Sequence, residues 1–330
     1  MSTQTLTIAK ALNTALRTSM EADPSVIVMG EDVGKLGGVF RITDGLQKDF
    51  GEHRVLDTPL AESGIIGTAI GLALHGFRPV CEIQFDGFVF PGYDQIVSQL
   101  AKMRYRSQGK LPMPVVVRIP FGGGIGAVEH HSESPESLFA HVAGLKVVAC
   151  ANPADAHSML RQAIASDDPV IFFEPKRRYW EKGEVDLEAT PPPLHSAQVV
   201  RPGTTATVVT YGPSVKTCLD AATAAAADGI DLEVIDLRTL SPLDLRPVFD
   251  SVRRTGHVVV VSEAPGESSV SSEVVARVQQ ECFYSLEAPV LRVTGFDTPY
   301  PPSKIEEDFI PDLDRVLDAV DRSLAHRDRG

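Results

Sequence analysis

An apolar stripe opens the chain. Ile8, Ala11, Leu12, Ala15, Leu16 and Ser19 recur at intervals of three and four, which predicts an amphipathic helix over 7–21. Asp23-Pro24 stops it, because proline offers no amide hydrogen and disfavours helical backbone in the residue before it. Short, mostly apolar runs then alternate with helical stretches. The runs are VIVMG (26–30), RVLDTP ending near Thr58, RPVCEIQF (78–85), MPVVVRIP (113–120), GLKVVAC (144–150) and PVIFFEP (169–175). Runs of this kind read as strands covered on both faces. Between them stand AESGIIGTAIGLALHG (61–76), apolar on nearly every side with glycine at its far end, and a helix around 92–107 with Ile96, Leu100 and Met103 on one face.

From 184 to 203 the pattern lapses. EVDLEATPPPLHSAQVVRPG is rich in proline and polar residues and has no helical period, so it reads as a linker. Alternation resumes with TATVVTYG (205–212), LEVIDLR (232–238), HVVVVSEA (257–264) and PVLRVTGF (289–296), with helices near 213–227, 268–281 and 305–325. The expected fold class is α/β, with mostly parallel sheets covered by helices. The expected domains are 1–185 and 204–330, joined by a linker at 186–203. No convincing short-period repeat is visible.

Composition narrows this picture only a little. The chain has 330 residues, 43% hydrophobic and 23% charged, an ordinary globular balance for two domains. Its net charge of −13 argues against a nucleic-acid binder, which needs a basic face. Cys81, Cys150, Cys218 and Cys282 are scattered without a C-x-x-C pair, so neither a zinc site nor a disulfide framework is expected. No apolar run reaches the ~18 residues of a membrane span. The start lacks a basic, cleavable signal and reads as the first helix, making the cytoplasm the expected location.

Three segments are candidates for chemistry. In DTPLAESGIIG (57–67), Glu62 falls where a strand end meets the first turn of the apolar helix. Acidic residues in first turns often only complement the helix dipole. This helix is apolar enough to be buried, however, and an unpaired buried carboxylate is expensive. Strand ends of parallel sheets are also where ligands lie. A desolvated carboxyl sharing a proton with a ring nitrogen would suit acid–base work.

In RIPFGGGIGAVEHHSESPES (118–137), the glycines mark a loop of close backbone approach, but no Gly-Lys-Ser/Thr follows, so it is no nucleotide cradle. His130 and His131, on an extended segment, are expected to point to opposite sides, one of them into a cleft. Ser132 lacks the G-x-S-x-G setting of a hydrolase nucleophile. In EIQFDGFVFPGYDQI (82–96), Phe85, Phe88, Phe90 and Tyr93 read as core or as a platform for a flat heteroaromatic ring. A nicotinamide enzyme is disfavoured, since no G-x-G-x-x-G joins a strand to a helix.

Together these segments resemble the beta subunits of the decarboxylating component of 2-oxo acid dehydrogenase complexes. The matching stretches run in fixed order along almost the whole chain: GEDVG (30–34), DTPLAESGIIG, EIQF with PGYDQI, the HHS turn, GLKVV, FFEP (172–175), EVIDLRTLSPLD (233–244), SEAP (262–265), LEAPVLRV (286–293) and GFDTPYPP (295–302). The resemblance implies a transketolase-like fold, with a pyrimidine-binding domain and a smaller transketolase C-terminal domain, and thiamine diphosphate as cofactor. It implies that Glu62 hydrogen-bonds the aminopyrimidine ring nitrogen, favouring the tautomer that activates the thiazolium carbon. Phe88 and Leu60 would be cofactor contacts, and His131 would orient substrate and help pass the acyl group to lipoate; His130 is not carried over.

The resemblance also implies a structural potassium site near DDP (167–169). Asp168 would be a ligand, although the companion position is Ser166. Position 133 is Glu where many relatives have Gln, adding an acid near His131. The Gly-Asp-Gly and Asn-Asn pattern that holds Mg²⁺ and diphosphate in this cofactor class does not occur here. A separate alpha subunit would supply it, in an assembly of two alpha and two beta chains inactive without alpha. Further implied partners are the lipoyl acyltransferase core and its small basic subunit-binding domain, for which the acidic C-terminal domain is a reasonable dock. The EIQF, PGYDQI and HHS segments lean toward the branched-chain enzymes; pyruvate or acetoin enzymes are the alternative, and a non-catalytic scaffold subunit is the remaining rival.

Overall fold

The computed structural model describes residues 3–326; the outermost residues of the two expected domains, 1–2 and 327–330, lie outside it. Strand β1 (Thr3–Thr7) leads directly into α1 (Ile8–Ala22), whose start is capped by the Thr7 hydroxyl accepting from the Lys10 amide. The face of α1 carrying Ile8, Ala11, Leu12, Ala15 and Leu16 is buried. Asn13 is buried with it, donating to the carbonyls of Ile42 and Asp44 and so tying the irregular loop that follows β2 (Val26–Gly30). That loop ends in α2 (Leu46–Phe50) and β3 (Val55–Asp57).

Next come α3 (Glu62–Leu74) and β4 (Arg78–Glu82). The stretch expected as one helix over 92–107 is built in three pitches: a 3₁₀ turn over Asp86–Gly92, a π-helical turn over Gln95–Leu100, and α4 (Ala101–Arg106). Pro91 inside the first turn removes one amide donor, and the wider π turn still buries Ile96 and Leu100. β5 (Val116–Phe121), α5 (Glu136–Ala140), β6 (Lys146–Ala149), α6 (Pro153–Ala165), β7 (Val170–Pro175) and β8 (Lys182–Asp186) complete the first half. β8 pairs antiparallel with β1.

The second half holds β9 (Gln198–Arg201), β10 (Ala206–Thr210), α7 (Ser214–Ala227), β11 (Leu232–Asp236) and β12 (Thr239–Ser241). It continues with α8 (Arg246–Thr255), β13 (Val258–Pro265), α9 (Val270–Cys282) and β14 (Leu291–Gly295). Two helices close it, α10 (Glu306–Phe309) and α11 (Leu313–Leu324). The single helix expected near 305–325 is divided at Pro311, and α11 restarts with Asp312 capping the Arg315 amide.

Two sheets carry the molecule. The first has the order β12-β6-β7-β5-β4-β2-β3 and is parallel except for β12; the second has the order β14-β13-β10-β11-β9 and is parallel except for β9. β9 thus occupies part of the stretch read as linker, and β12, from the second half of the chain, borders the first sheet. α1 and α6 cover one face of the first sheet. Its other face shares a continuous apolar core with α3, the 92–106 segment and the inner face of the second sheet, from Val117 and Phe173 through Tyr211 to Val260. α7 and α11 cover the outer face of the second sheet. Parallel topology sets the carboxyl ends of β2, β3, β4, β5 and β7 along one rim, and the candidate residues stand there.

Candidate active site

Glu62 is the first residue of α3, entered from the loop after β3. It is 6% exposed, and among the described residues no donor reaches its carboxylate. Close by in the fold is Glu31, at the end of β2, which sequence reasoning passed over within GEDVG. Glu31 is buried, one carboxylate oxygen has no partner among the described residues, and its carboxyl is pushed above the usual range by burial first, then by the charges of Glu62 and Asp32. An acid after a strand, followed by another acid, looks like a surface turn in sequence. Only the fold reveals its burial.

The turn Asp86–Gly92 joins the site's two halves, touching both α3 and the short 3₁₀ turn Glu129–His131. Gly92 lies against the backbone of Glu62, and Gly87 so close under His130 that a Cβ would collide with its carbonyl oxygen. Phe85 packs on His131 with ring centroids 4.1 Å apart, and Phe88 packs on it edge-on at 5.0 Å. Phe40 extends the cluster behind Phe85 at 5.4 Å. Tyr93 instead packs on Phe139 in the core, and Phe90 lies at the surface. Leu60 is 79% exposed on the loop before Glu62.

The two histidines do not diverge as an extended segment would require. The 3₁₀ turn sets their rings side by side, 4.4 Å apart. His130 is exposed and faces Glu129 at 3.7 Å. His131 is half-buried and its Nδ1 has no partner among the described residues. Burial, then His130, then Lys176 hold His131 below the usual histidine range, against Glu129; it is therefore the neutral ring at pH 7. Glu133 takes no part in that balance. Its carboxyl is itself raised, mainly by burial, and lines a cavity of about 300 Å³ with Ser132, Glu263, Tyr300 and Phe309.

The glycine loop is occupied by protein groups. Gly123 donates to Glu263, Gly124 donates to the Tyr300 hydroxyl at 3.1 Å, and Gly126 donates to Glu306 at 2.9 Å. Its amide donors are already taken by carboxylates and a hydroxyl of the second half of the chain, and Glu263 also pairs with Arg177 at 3.1 Å. Asp168 is remote from this rim. Arg104 and Lys146 bind its two carboxylate oxygens, each at 2.8 Å, and Ser166 closes a local turn with its backbone. Two cations on one carboxylate do not fit a potassium ligand. The pyrimidine end of thiamine diphosphate does fit: a donor-less buried carboxylate stands near aromatic faces at the strand ends.

This fold and rim define the class. The transketolase pyrimidine-binding domain matches residues 4–181, and the transketolase C-terminal domain matches 195–316. A solved structure described as a split-gene transketolase in an inactive beta4 tetramer superposes with a TM-score of 0.81 at 22% identity, covering 98% of this chain and 99% of that one. Sequence relatives are more specific. A pyruvate dehydrogenase E1 component subunit beta from Leifsonia xyli subsp. xyli is 62% identical, covering 98% of this chain and 96% of the relative. A 3-methyl-2-oxobutanoate dehydrogenase subunit beta from Mycobacterium tuberculosis is 55% identical, covering 98% and 93%. The chain belongs to the E1 beta subunits of the thiamine-diphosphate-dependent 2-oxo acid dehydrogenases. No helix among the described residues is long and apolar enough to cross a membrane.

Proposed function

We propose that this chain supplies the pyrimidine-binding half of an active site for oxidative decarboxylation of branched-chain 2-oxo acids, completed by an alpha subunit. The observation that carries the reading is the buried, donor-less carboxylate of Glu62, joined through one turn to the cluster of Phe85, Phe88 and His131. Thiamine diphosphate, when bound, supplies the nucleophilic carbon and electron sink. Glu62 would share a proton with a ring nitrogen, with Glu31 behind it as a second acid. Phe88, and Leu60 on the open loop, would flank the cofactor. His131, neutral and with a free ring nitrogen, would orient the substrate and accept or return a proton as the acyl group passes to a lipoyl arm.

Mg²⁺ and the diphosphate are assigned to the alpha subunit, in an assembly of two alpha and two beta chains, because the motif that binds them is missing from this sequence. The acyl acceptor would be the lipoyl acyltransferase core. Its basic subunit-binding domain would dock on the acidic second domain; tight binding insensitive to salt would count against that surface. The setting would be cytoplasmic. Branched-chain specificity is supported by the EIQF, PGYDQI and HHS segments and by the Mycobacterium tuberculosis relative. The 62% identity of the Leifsonia relative favours pyruvate as the second reading. The test is coexpression with the alpha subunit, followed by decarboxylation of 3-methyl-2-oxobutanoate and pyruvate with thiamine diphosphate, Mg²⁺ and an artificial electron acceptor. A higher kcat/KM for pyruvate would overturn the branched-chain assignment, and no turnover of either would overturn the catalytic one.

A further inference from the structure

We propose that the buried Asp86–Lys176 pair is a positioning device for His131, acting through the backbone of the turn that carries it. Both side chains are 0% exposed. Asp86 begins the turn after β4, and Lys176 begins the turn after β7. One Asp86 oxygen accepts from the Lys176 ammonium; the other accepts from the amide of Glu133, two residues beyond His131. The carbonyl of Glu133 in turn accepts from the Gly122 amide at 2.9 Å. The far end of the histidine turn is therefore held from both sides.

The near side is seated on bare backbone, where Gly87 leaves no room for a Cβ under His130. Lys176 Nζ also lies 5.9 Å from the centre of the Phe85 ring that packs on His131. The chemistry explains why a lysine is used. Burial pushes the Asp86 carboxyl up to about 7, toward the protonated form that gives up one acceptor; the adjacent ammonium opposes this and favours the ionised form, in which both oxygens accept. Neither residue reaches a reacting group, so both act through His131, and the proposal rests on the acyl-transfer role given to His131 above.

The test uses the assembled alpha–beta enzyme and two readouts: decarboxylation with an artificial acceptor, and acylation of a lipoyl domain. Two double variants differ only at position 86, where one keeps and the other loses the acceptor for the Glu133 amide. Asp86→Asn with Lys176→Met retains an acceptor and leaves no buried charge; Asp86→Ala with Lys176→Met removes the acceptor. A displacement near 1 Å can cost about 100-fold, so the Ala pair is expected to lose roughly tenfold or more of lipoyl acylation. The Asn pair should keep both activities near the parent rate, and in the Ala pair acylation should fall more than decarboxylation, which His131 serves only by orienting the substrate. Equal acylation by the two pairs, or parallel loss of both activities, would overturn the clamp.

Gly87→Ala pushes against the His130 backbone without removing either member of the charge pair and should lower acylation more than decarboxylation, which keeps the question answerable if the double variants fold poorly. His131→Ala is the reference: if it leaves lipoyl acylation intact, the role given to His131 falls. The clamp is then still decided by crystal structures of the two double variants. His131 at one position in both overturns it, and displacement in the Ala pair alone supports it.

Discussion

At the scale of single residues, the site turns on how little surrounds Glu62. Glu62 is buried with no donor among the described residues, and its charge helps to hold the Glu31 carboxyl above the usual range. Glu62→Gln keeps the volume and removes the acid. Because positioned acid–base groups contribute about 10²–10⁴-fold, turnover in the assembled enzyme should fall by roughly 100-fold or more, while the melting temperature changes little. Near-normal turnover would defeat the assignment. The same variant removes a negative charge facing Glu31, so the Glu31 carboxyl should titrate at lower pH than in the parent protein, which carboxyl-carbon NMR can follow. The burial of Glu62 was legible in sequence because the helix it opens is apolar on nearly every side. Glu31 was not, since its burial depends on residues distant in the chain.

Among elements, the sequence pattern reached the strands further than the turns. Buried parallel strands are continuous apolar runs and announce themselves; β12, three residues long and paired with β6 far from it in sequence, has no period to read. The turn Glu129–His131 defeated the expectation of opposed histidines for the same reason, since it packs on the Asp86–Gly92 turn, distant from it in sequence. α10 and α11 are a different case, as Pro311 and Asp312 were visible stop and start signals.

Two predictions belong at this scale. Glu306 accepts from Gly126 and from Tyr300, so Glu306→Ala should speed hydrogen exchange across 122–128 with little change in global melting; unchanged exchange there would contradict the clasp. α5 docks on the second sheet through Glu136, fully buried, which accepts from the Tyr211 hydroxyl at 2.7 Å. Burial pushes the Glu136 carboxyl up from 4.5 to about 7, against that hydrogen bond. The folded protein therefore binds a proton there that the unfolded chain releases. That contribution is complete below about pH 4.5 and is lost as pH rises toward and past 7. Glu136→Gln keeps an acceptor for Tyr211 and should raise the melting temperature at pH 8 but not at pH 5; equal melting shifts at both pH values would contradict this.

On the scale of the whole molecule, the two halves are less separable than a linker reading implies. They share an apolar core, the second half clasps the glycine loop of the first, and β12 borders the first sheet. A fragment ending at residue 203 would leave β6 with an unpaired edge and uncover the apolar face around Val117 and Phe173. It should be aggregated or molten when expressed alone. A monomeric fragment with a cooperative thermal transition would show that the first half is self-sufficient.

The late arrival of β12 has a consequence for biogenesis. Strand β6 leaves the ribosome well before its antiparallel neighbour has been translated, and at common elongation rates the interval is on the order of ten seconds. Throughout it, the nascent sheet offers an unsatisfied ladder to any other chain nearby, including a second copy on the same polysome. Yield in cells should therefore respond to holdase chaperones and to synonymous codons between the two strands, even where the finished protein's stability is unchanged.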